Sequence, residues 1–495
     1  MFDALFTTTT EYKKLSHALS GKGACALFGL PASGRAQVYA ALCRQLDKPL
    51  CIVTPGEAEA TRFAADLNTL GIPAAVFPAR DYVLRPIEGT AREYEYRRLA
   101  VLGELVGGRL RAVAVPAEAL TQFTTPKEDF CANTRTLHSG DTLLRDDLLA
   151  ALFGAGYTRR AQVDGPGQFS VRGDIVDIFA PDQKMPVRME FWGDEIDTLH
   201  TFDLTTQRRE DAIDKFYLSP AREVLFGKPA DAAEQLRAFL AKQRGKKKTA
   251  MADCMAADLD LLDGGAVPVN MDKYLAVRYP HPATVLDYFD DPILVAEEPA
   301  SIREADRATA YRRGKELKSL ILDGVLCAGL DNLYADPSYL WSKTGHYRTI
   351  CAENFARSMP DQPLKDIVNT PAHTLPAWNG EVAGLLEDLK PLCDAGYTVT
   401  LLAGTDRAAA GLARDLRDKG ILVTTDAAAA PAAGLVQVLA GHLSAGCEFP
   451  FAKYALLTGR AFGETSSQKK KRKKAKDALN SLTEITPGDL VVHQN

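Results

Sequence analysis

The chain has 495 residues, 46% of them hydrophobic and 25% charged, with a formal net charge of −5. That length holds about three or four domains at ~100–200 residues each, with ample apolar content for their cores. The charge excludes a global attraction to nucleic acid, so any such binding needs a local basic patch.

The nine cysteines are scattered without a CxxC pair, and His346 with Cys351 and His442 with Cys447 fall short of a four-ligand zinc cluster. This pattern predicts reduced thiols in a cytoplasmic protein rather than a disulfide framework. The start, MFDALFTTTT, lacks the basic opening and long apolar core of a signal peptide. No apolar run reaches the length of a bilayer span, so no membrane partner is expected.

Residues 11–20 read as a short helix broken at Gly21 and Gly23. Ala24 to Phe28 reads as a buried strand running into Gly29-Leu30-Pro31-Ala32-Ser33-Gly34-Arg35-Ala36, followed by a helical pattern to Leu46. Strand, glycine loop and helix are the context of a phosphate-binding P-loop. The GxxxxG frame is present, but Arg35 stands where the phosphate-reaching lysine should be and Ala36 where the magnesium-holding hydroxyl should be. Arginine keeps the charge without the compact ammonium, and alanine offers no ligand atom. The loop is therefore expected not to hydrolyse ATP. Gly29 and Gly34 would serve the backbone turn, with weak anion binding at the helix N-terminus left open.

Leu50 to Thr54 predicts a second buried strand, Glu57 to about Leu70 a helix, and Ala74 to Phe77 a short strand. After Arg80 to Ile87 a helix is expected from about Thr90 to Gly107. Tyr82, Tyr94 and Tyr96 could stack on bases, though completing a helix–sheet surface is the favoured reading. Arg111 to Val115 is another core strand. Residues 1–130 thus form the first part of an α/β layer on a parallel sheet.

A small domain is expected over 131–218, opening with an amphipathic helix from Leu143 to Phe153. From Tyr157 to Asp203 the pattern is an antiparallel meander. Val187, Met189 and Phe191 alternate with Arg188, Glu190 and Trp192, which places the second set together on the outer face. Arg and Trp are favoured interface anchors; the competing reading is a solvated face, with Arg188 and Glu190 paired only to each other. Gly173, where the apolar phase shifts, could sit in a bulge.

Residues 219–345 return to the α/β layer. Lys246 to Lys248 read as a solvated loop. Ile293 to Val295 lead into Glu297 and Glu298, the form of a Walker B strand, with the two acids alternatively capping the next helix. A separate small α/β domain is expected over 350–463, without a catalytic constellation. Residues 464–481 read as a basic linker carrying Lys469, Lys470, Lys471, Arg472, Lys473, Lys474 and Lys476, most simply a flexible tether, with phosphate contact to DNA as an alternative. Near its end LVVH reads as an apolar strand, which is expected to need a partner strand that the sequence up to residue 495 does not offer.

VRGDIVDIF, PVRMEFWGDEID and TFDLTTQR, in this spacing, closely resemble the domain shared by the excision-repair subunit UvrB and the bacterial transcription-repair coupling factors, the Mfd family. LTEITPGDLVVHQN resembles the start of that family's polymerase-binding domain. The resemblance implies a multidomain α/β protein. A RecA-like core with a degenerate P-loop is interrupted by an α+β antiparallel-sheet domain that docks UvrA, the damage-recognition ATPase. A small α/β domain of unknown role follows, and residues 482–495 begin a further one. The family's UvrA-contacting positions match Arg159, Arg188 and Glu190; Arg172 and Phe179 are neighbours, and one UvrB arginine falls at Ser170.

UvrB carries a long aromatic hairpin after the third strand and reads DESH at the Walker B site. Here the segment is short and the site reads Glu297-Glu298-Pro299-Ala300. The resemblance therefore implies a non-catalytic N-terminal half that binds no cofactor of its own. ATP, magnesium, RNA polymerase and double-stranded DNA would engage the remainder of the protein, which includes a translocase motor. The alternative is a UvrB-like DNA-damage-binding ATPase, which would need lysine at position 35, a hydroxyl at 36 and the hairpin. A purely DNA-binding role for the linker would be exposed by deleting it and following salt-dependent DNA binding.

Overall fold

The computed structural model describes residues 6–87, 92–355, 362–378 and 382–459. The expected basic linker and terminal strand lie outside the described residues. The strands are β1 (Gly23–Phe28), β2 (Leu50–Thr54), β3 (Ala74–Val76), β4 (Ala112–Pro116), β5 (Arg135–His138), β6 (Thr158–Arg159), β7 (Gln168–Arg172), β8 (Ile175–Phe179), β9 (Val187–Trp192), β10 (Glu195–Phe202), β11 (Arg209–Ala212) and β12 (Lys215–Leu218). The chain continues through β13 (Ile293–Glu297), β14 (Arg348–Glu353), β15 (Leu364–Asn369), β16 (His373–Leu375), β17 (Thr398–Leu402), β18 (Val423–Thr424), β19 (Val436–Leu439), β20 (Gly446–Phe449) and β21 (Tyr454–Thr458).

Seven of these make a parallel sheet in the order β15-β1-β14-β13-β2-β4-β3. A parallel sheet is covered on both faces, so its strands are apolar throughout rather than alternating. In β1, Cys25 and Leu27 point to one core, which holds Val38, Tyr39, Phe63 and Leu67 of helices Ala32–Leu46 and Glu57–Thr69. Ala24, Ala26 and Phe28 point to the other, which holds Leu99 and Leu102 of helix Glu93–Val106. β14 and β15 belong to this sheet, so the expected break between residues 345 and 350 is misplaced. The α/β unit runs on to Asn369, because β1 needs a neighbour on each edge and both come from beyond residue 345.

Between β4 and β13 the chain leaves the sheet and builds a six-stranded one, β11-β10-β9-β8-β7-β6, beside a β5–β12 pair. Leu148 and Leu152 of helix Arg145–Gly154 pack with Phe169, Val176, Ile178, Val187, Met189, Phe191, Ile196 and Leu199. Gly173 does not make a bulge. Arg172 pairs with Ile175, and Gly173 at φ 59° opens the two-residue hairpin between them, a conformation suited to glycine. Gly193 at φ 63° does the same between Trp192 and Glu195.

Where this insertion rejoins the α/β unit lies a buried ionic network. Glu223, fully buried, accepts from Arg98 Nε at 2.6 Å and Nη2 at 3.2 Å, and lies 3.3 Å from Arg80 Nε. Arg80 also donates to Asp272 at 2.7 Å, and the Glu223 N–H donates to Glu95 at 3.0 Å. Burial alone would raise the Glu95 pKa, but Arg80, Arg92 and Arg222 hold it down at about 2.

Lys246 to Lys248 are not a loop. They open helix Gly245–Asp263, although basic residues at a helix start oppose its dipole. Burial of Met251, Met255 and Leu262 outweighs that cost. On the long helix Pro299–Leu322, Asp306 is buried, and burial pushes its carboxyl up to about 6 against the pull of Arg313. The folded pKa exceeds the unfolded one, so stability is lost as pH rises through about 6 and regained toward 4. Asp306→Asn is expected to raise the unfolding free energy read from urea titration at about pH 8 by about 1–2 kcal/mol, with the gain shrinking on acidification.

The third sheet has the order β16-β20-β21-β17-β19-β18, with helices Val382–Asp394 and Asp406–Asp418 packed on it. It is a separate sheet without a separate core on every side. Cys447, Phe449, Tyr454 and Leu456 enter the same cluster as Val38 and Tyr39. Asp66 accepts from the Ser444 N–H at 2.8 Å and its hydroxyl at 2.6 Å.

Candidate functional site

The outer face of the six-stranded sheet is ordered in rows, because in-register strands stack side chains across the sheet. One row runs Ser170, Asp177, Arg188, His200. Asp177 is fully buried on this face and organises it. Arg188 grips it with Nε at 2.7 Å and Nη2 at 3.0 Å, and Arg172 adds a bond at 2.8 Å. The Arg188 guanidinium also lies 4.8 Å from the Phe202 ring centroid and donates to Gln207 O at 3.2 Å. Arg188 is therefore largely sequestered, and it pairs with Asp177 rather than Glu190. Glu190 instead takes Arg209 and accepts from Thr198 Oγ1 at 3.2 Å.

Arg159, at the sheet's edge in β6, is exposed, but it lies opposite Phe169 and two residues from Tyr157, both in the inner core, so the structure does not bring it onto the face of Arg188 and Glu190. Trp192 is 82% exposed. Phe179 is not on offer. It is 6% exposed and packs with Val163 and Phe202 beneath the loop that follows β10. Ser170, where an arginine was looked for, is buried with its hydroxyl lacking a hydrogen-bond partner among the described residues. Sequence reading missed Asp177 and Arg209. The signal for Asp177 was present: an acid at an outward position of IVDIF, directly opposite Arg188.

The second cluster surrounds the glycine loop. Gly29 has φ 86°, and a Cβ there would meet Asn369 Oδ1 at 2.8 Å, so β15 passes too close for any side chain. Helix Ala32–Leu46 follows, with Ser33, Gly34, Arg35 and Ala36 all buried. Arg35 is 2% exposed. Its Nε lies 2.9 Å from Glu297 Oε2, and its Nη1 donates to Glu298 Oε1 at 3.0 Å. Tyr39 donates to Glu297 Oε1 at 2.5 Å, and the Asn354 N–H donates to Glu298 Oε1 at 3.2 Å. Burial pushes the Glu297 carboxyl upward against Arg35 and Tyr39, and lifts the Tyr39 phenol well above its usual range. Glu298 occupies the N-cap position of the following helix, but its side chain makes no capping bond there and is turned, like that of Glu297, to Arg35.

The start of that helix is also covered. A Cβ at Gly34 would sit 2.9 Å from Cys447 Sγ and 3.4 Å from the Phe449 ring, and Ser33 Oγ donates to Gly446 O at 3.4 Å. β20 thus lies directly over the turn where a helix N-terminus would otherwise offer free N–H groups. Among the described residues no group of three or more His, Cys, Asp or Glu is placed to hold a metal ion, and no helix is long and apolar enough to cross a membrane.

Residues 136–224 match the UvrB interaction domain. Along nearly its whole length the chain is similar to proteins named transcription-repair-coupling factor. It is 26% identical over 484 residues to that of Bacillus subtilis, covering 95% of this chain and 41% of the relative. It is 25% identical over 483 residues to that of Staphylococcus haemolyticus, covering 94% and 40%. It is 23% identical over 479 residues to that of Staphylococcus aureus strain MRSA252, covering 94% and 41%. The chain spans about two fifths of the length of these relatives, corresponding to their N-terminal part.

Proposed function

We propose that this chain, homologous along 95% of its length to transcription-repair-coupling factors, serves transcription-coupled repair in the cytoplasm as a recruiting module that binds UvrA and does no chemistry itself. One observation carries the reading. Within the segment that matches the UvrB interaction domain, a fully buried Asp177 holds Arg172 and Arg188 in place on the same sheet face as the open Trp192. Preorganised arginines next to an exposed indole give a partner rigid anchors at low entropic cost. Mixing the chain with UvrA should yield a co-eluting complex on size exclusion, and separate elution at micromolar concentrations would end the proposal.

The non-catalytic half of the reading rests on the glycine loop. Its residues do not fit a magnesium nucleotide. Ala36 has no hydroxyl, Arg35 already neutralises both acids, and β20 packs on the helix start. Restoring the motif with Arg35→Lys and Ala36→Thr should therefore not create Mg-ATP binding, as checked by titration with a fluorescent ATP analogue. Micromolar binding by that double variant would show that only two side chains stand in the way. ATP-driven translocation on double-stranded DNA and contact with RNA polymerase belong, in this reading, to the parts of the complete protein that this chain does not span.

A further inference from the structure

Helix Pro299–Leu322 places Asp306, Ala310, Arg313 and Leu317 along one side, at the spacing of successive turns. Opposite them runs the segment from Tyr334 to Pro337, held to Thr121 O by the Ala335 N–H at 2.8 Å. A cavity of about 190 Å³ lies between the two, with Gly314 on its rim. It shares no residue with the docking face or the glycine loop.

Two features of this cavity weaken the fold. Asp306 is 7% exposed, yet among the described residues no hydrogen bond or salt bridge reaches its carboxylate. Asp177, Glu223, Asp272 and Glu297, buried as deeply, each receive a donor. A buried carboxylate without one is costly. Arg313 pulls on it but is committed elsewhere. Its Nη1 donates to Thr121 Oγ1 and its Nη2 to Glu118 O, both at 2.8 Å, and the Glu118 carboxylate answers its charge at 3.7 Å. The second feature is Gly314, which sits inside the helix, where glycine is a poor former. A Cβ there would meet nothing within 4 Å, so no close approach requires it. Local choices that lower stability without a packing return cluster at functional sites.

The lining narrows the occupant. An anion would meet the charge of Asp306. One carboxylate is too few oxygen ligands for calcium or magnesium. A guanidinium favours an aromatic face to stack on, and Arg313 already lies 4.0 Å from the Tyr334 ring centroid. An ammonium is a compact charge on a narrow apolar stem, and Leu317, Ala335 and Pro337 offer apolar walls for such a stem. The volume is below the ~300–1,000 Å³ of sites for whole drug-sized ligands and cofactors. We infer that this cavity binds a primary alkylammonium group, the end of a lysine side chain or of a free polyamine, with Asp306 as its counter-ion.

The test is saturation-transfer NMR on the full chain with butylammonium chloride. Binding should saturate at millimolar concentrations, and butanol, of the same length without the charge, should bind roughly tenfold more weakly. Asp306→Asn keeps the shape and removes the charge, so it should weaken butylammonium roughly tenfold and leave butanol unchanged. In Gly314→Leu the new side chain would lie back over Ala310, across the rim, and should weaken both. Tighter binding of Nα-acetyl-lysine amide than of cadaverine would identify a protein's lysine as the source, and the reverse order a free polyamine. No saturable butylammonium binding, or binding that either variant leaves unchanged, would overturn the inference.

Discussion

Glu223→Ala is expected to cost about 3–5 kcal/mol and to loosen the docking sheet from the α/β unit. The carboxylate is fully buried, and it holds Arg98, also fully buried, and Arg80. Removing it leaves two guanidinium groups in a low-dielectric interior with only part of their charge answered. Asp272 and Glu95 still serve Arg80, whereas Arg98 keeps Gln122 Oε1 at 3.0 Å, Pro78 O at 3.1 Å and the Phe77 ring at 4.1 Å but no carboxylate bond. A neutral Glu223→Gln, which keeps an acceptor oxygen, should lose less. Hydrogen exchange is the discriminating measurement: amides of β5 and β12, at the base of the insertion, should exchange faster in Glu223→Ala than those of β1 and β2. A chain that melts like the unaltered one would show that the network contributes nothing net.

Arg188→Ala is expected to weaken UvrA binding and also to destabilise the docking sheet by about 2–3 kcal/mol. An Arg188 merely decorating a solvated face would be removable without changing the melt, since exposed pairs are worth ~0–1 kcal/mol. The geometry points the other way. Asp177 has no exposure and receives two hydrogen bonds from Arg188. Without them it retains Arg172, whose own side chain is half in solvent. Arg188→Lys should recover part of the loss but not the forked geometry. Thermal melts of the three proteins, read beside their UvrA affinities, separate the two effects.

Most of the architecture was legible because its signals are local. β2 needed only the apolar run Leu50 to Thr54, and helix Ala32–Leu46 only the periodicity after the glycine loop. The outward set Arg188, Glu190 and Trp192 followed from the period-two alternation of β9. What stayed hidden was decided by long-range pairing. Nothing in RTICAE announces that it lies between β1 and β13 of a sheet begun more than 300 residues earlier. Phe179 looked available because alternation marks the outer face but not the loop that covers it. The partnership of Arg35 with Glu297 and Glu298 spans more than 260 residues. The sequence showed both motifs altered without showing that the altered residues satisfy one another.

The claim that the six-stranded sheet is a docking face is tested most directly on a side chain that the fold does not need. Trp192 is exposed on that face, so replacing it by alanine should leave the melt within about 0.5 kcal/mol of the unaltered chain. Isothermal titration of UvrA into this variant should then show affinity lower by about tenfold or more, as expected when an interface anchor is lost. Binding at unchanged affinity would contradict the account and move the contact to another surface.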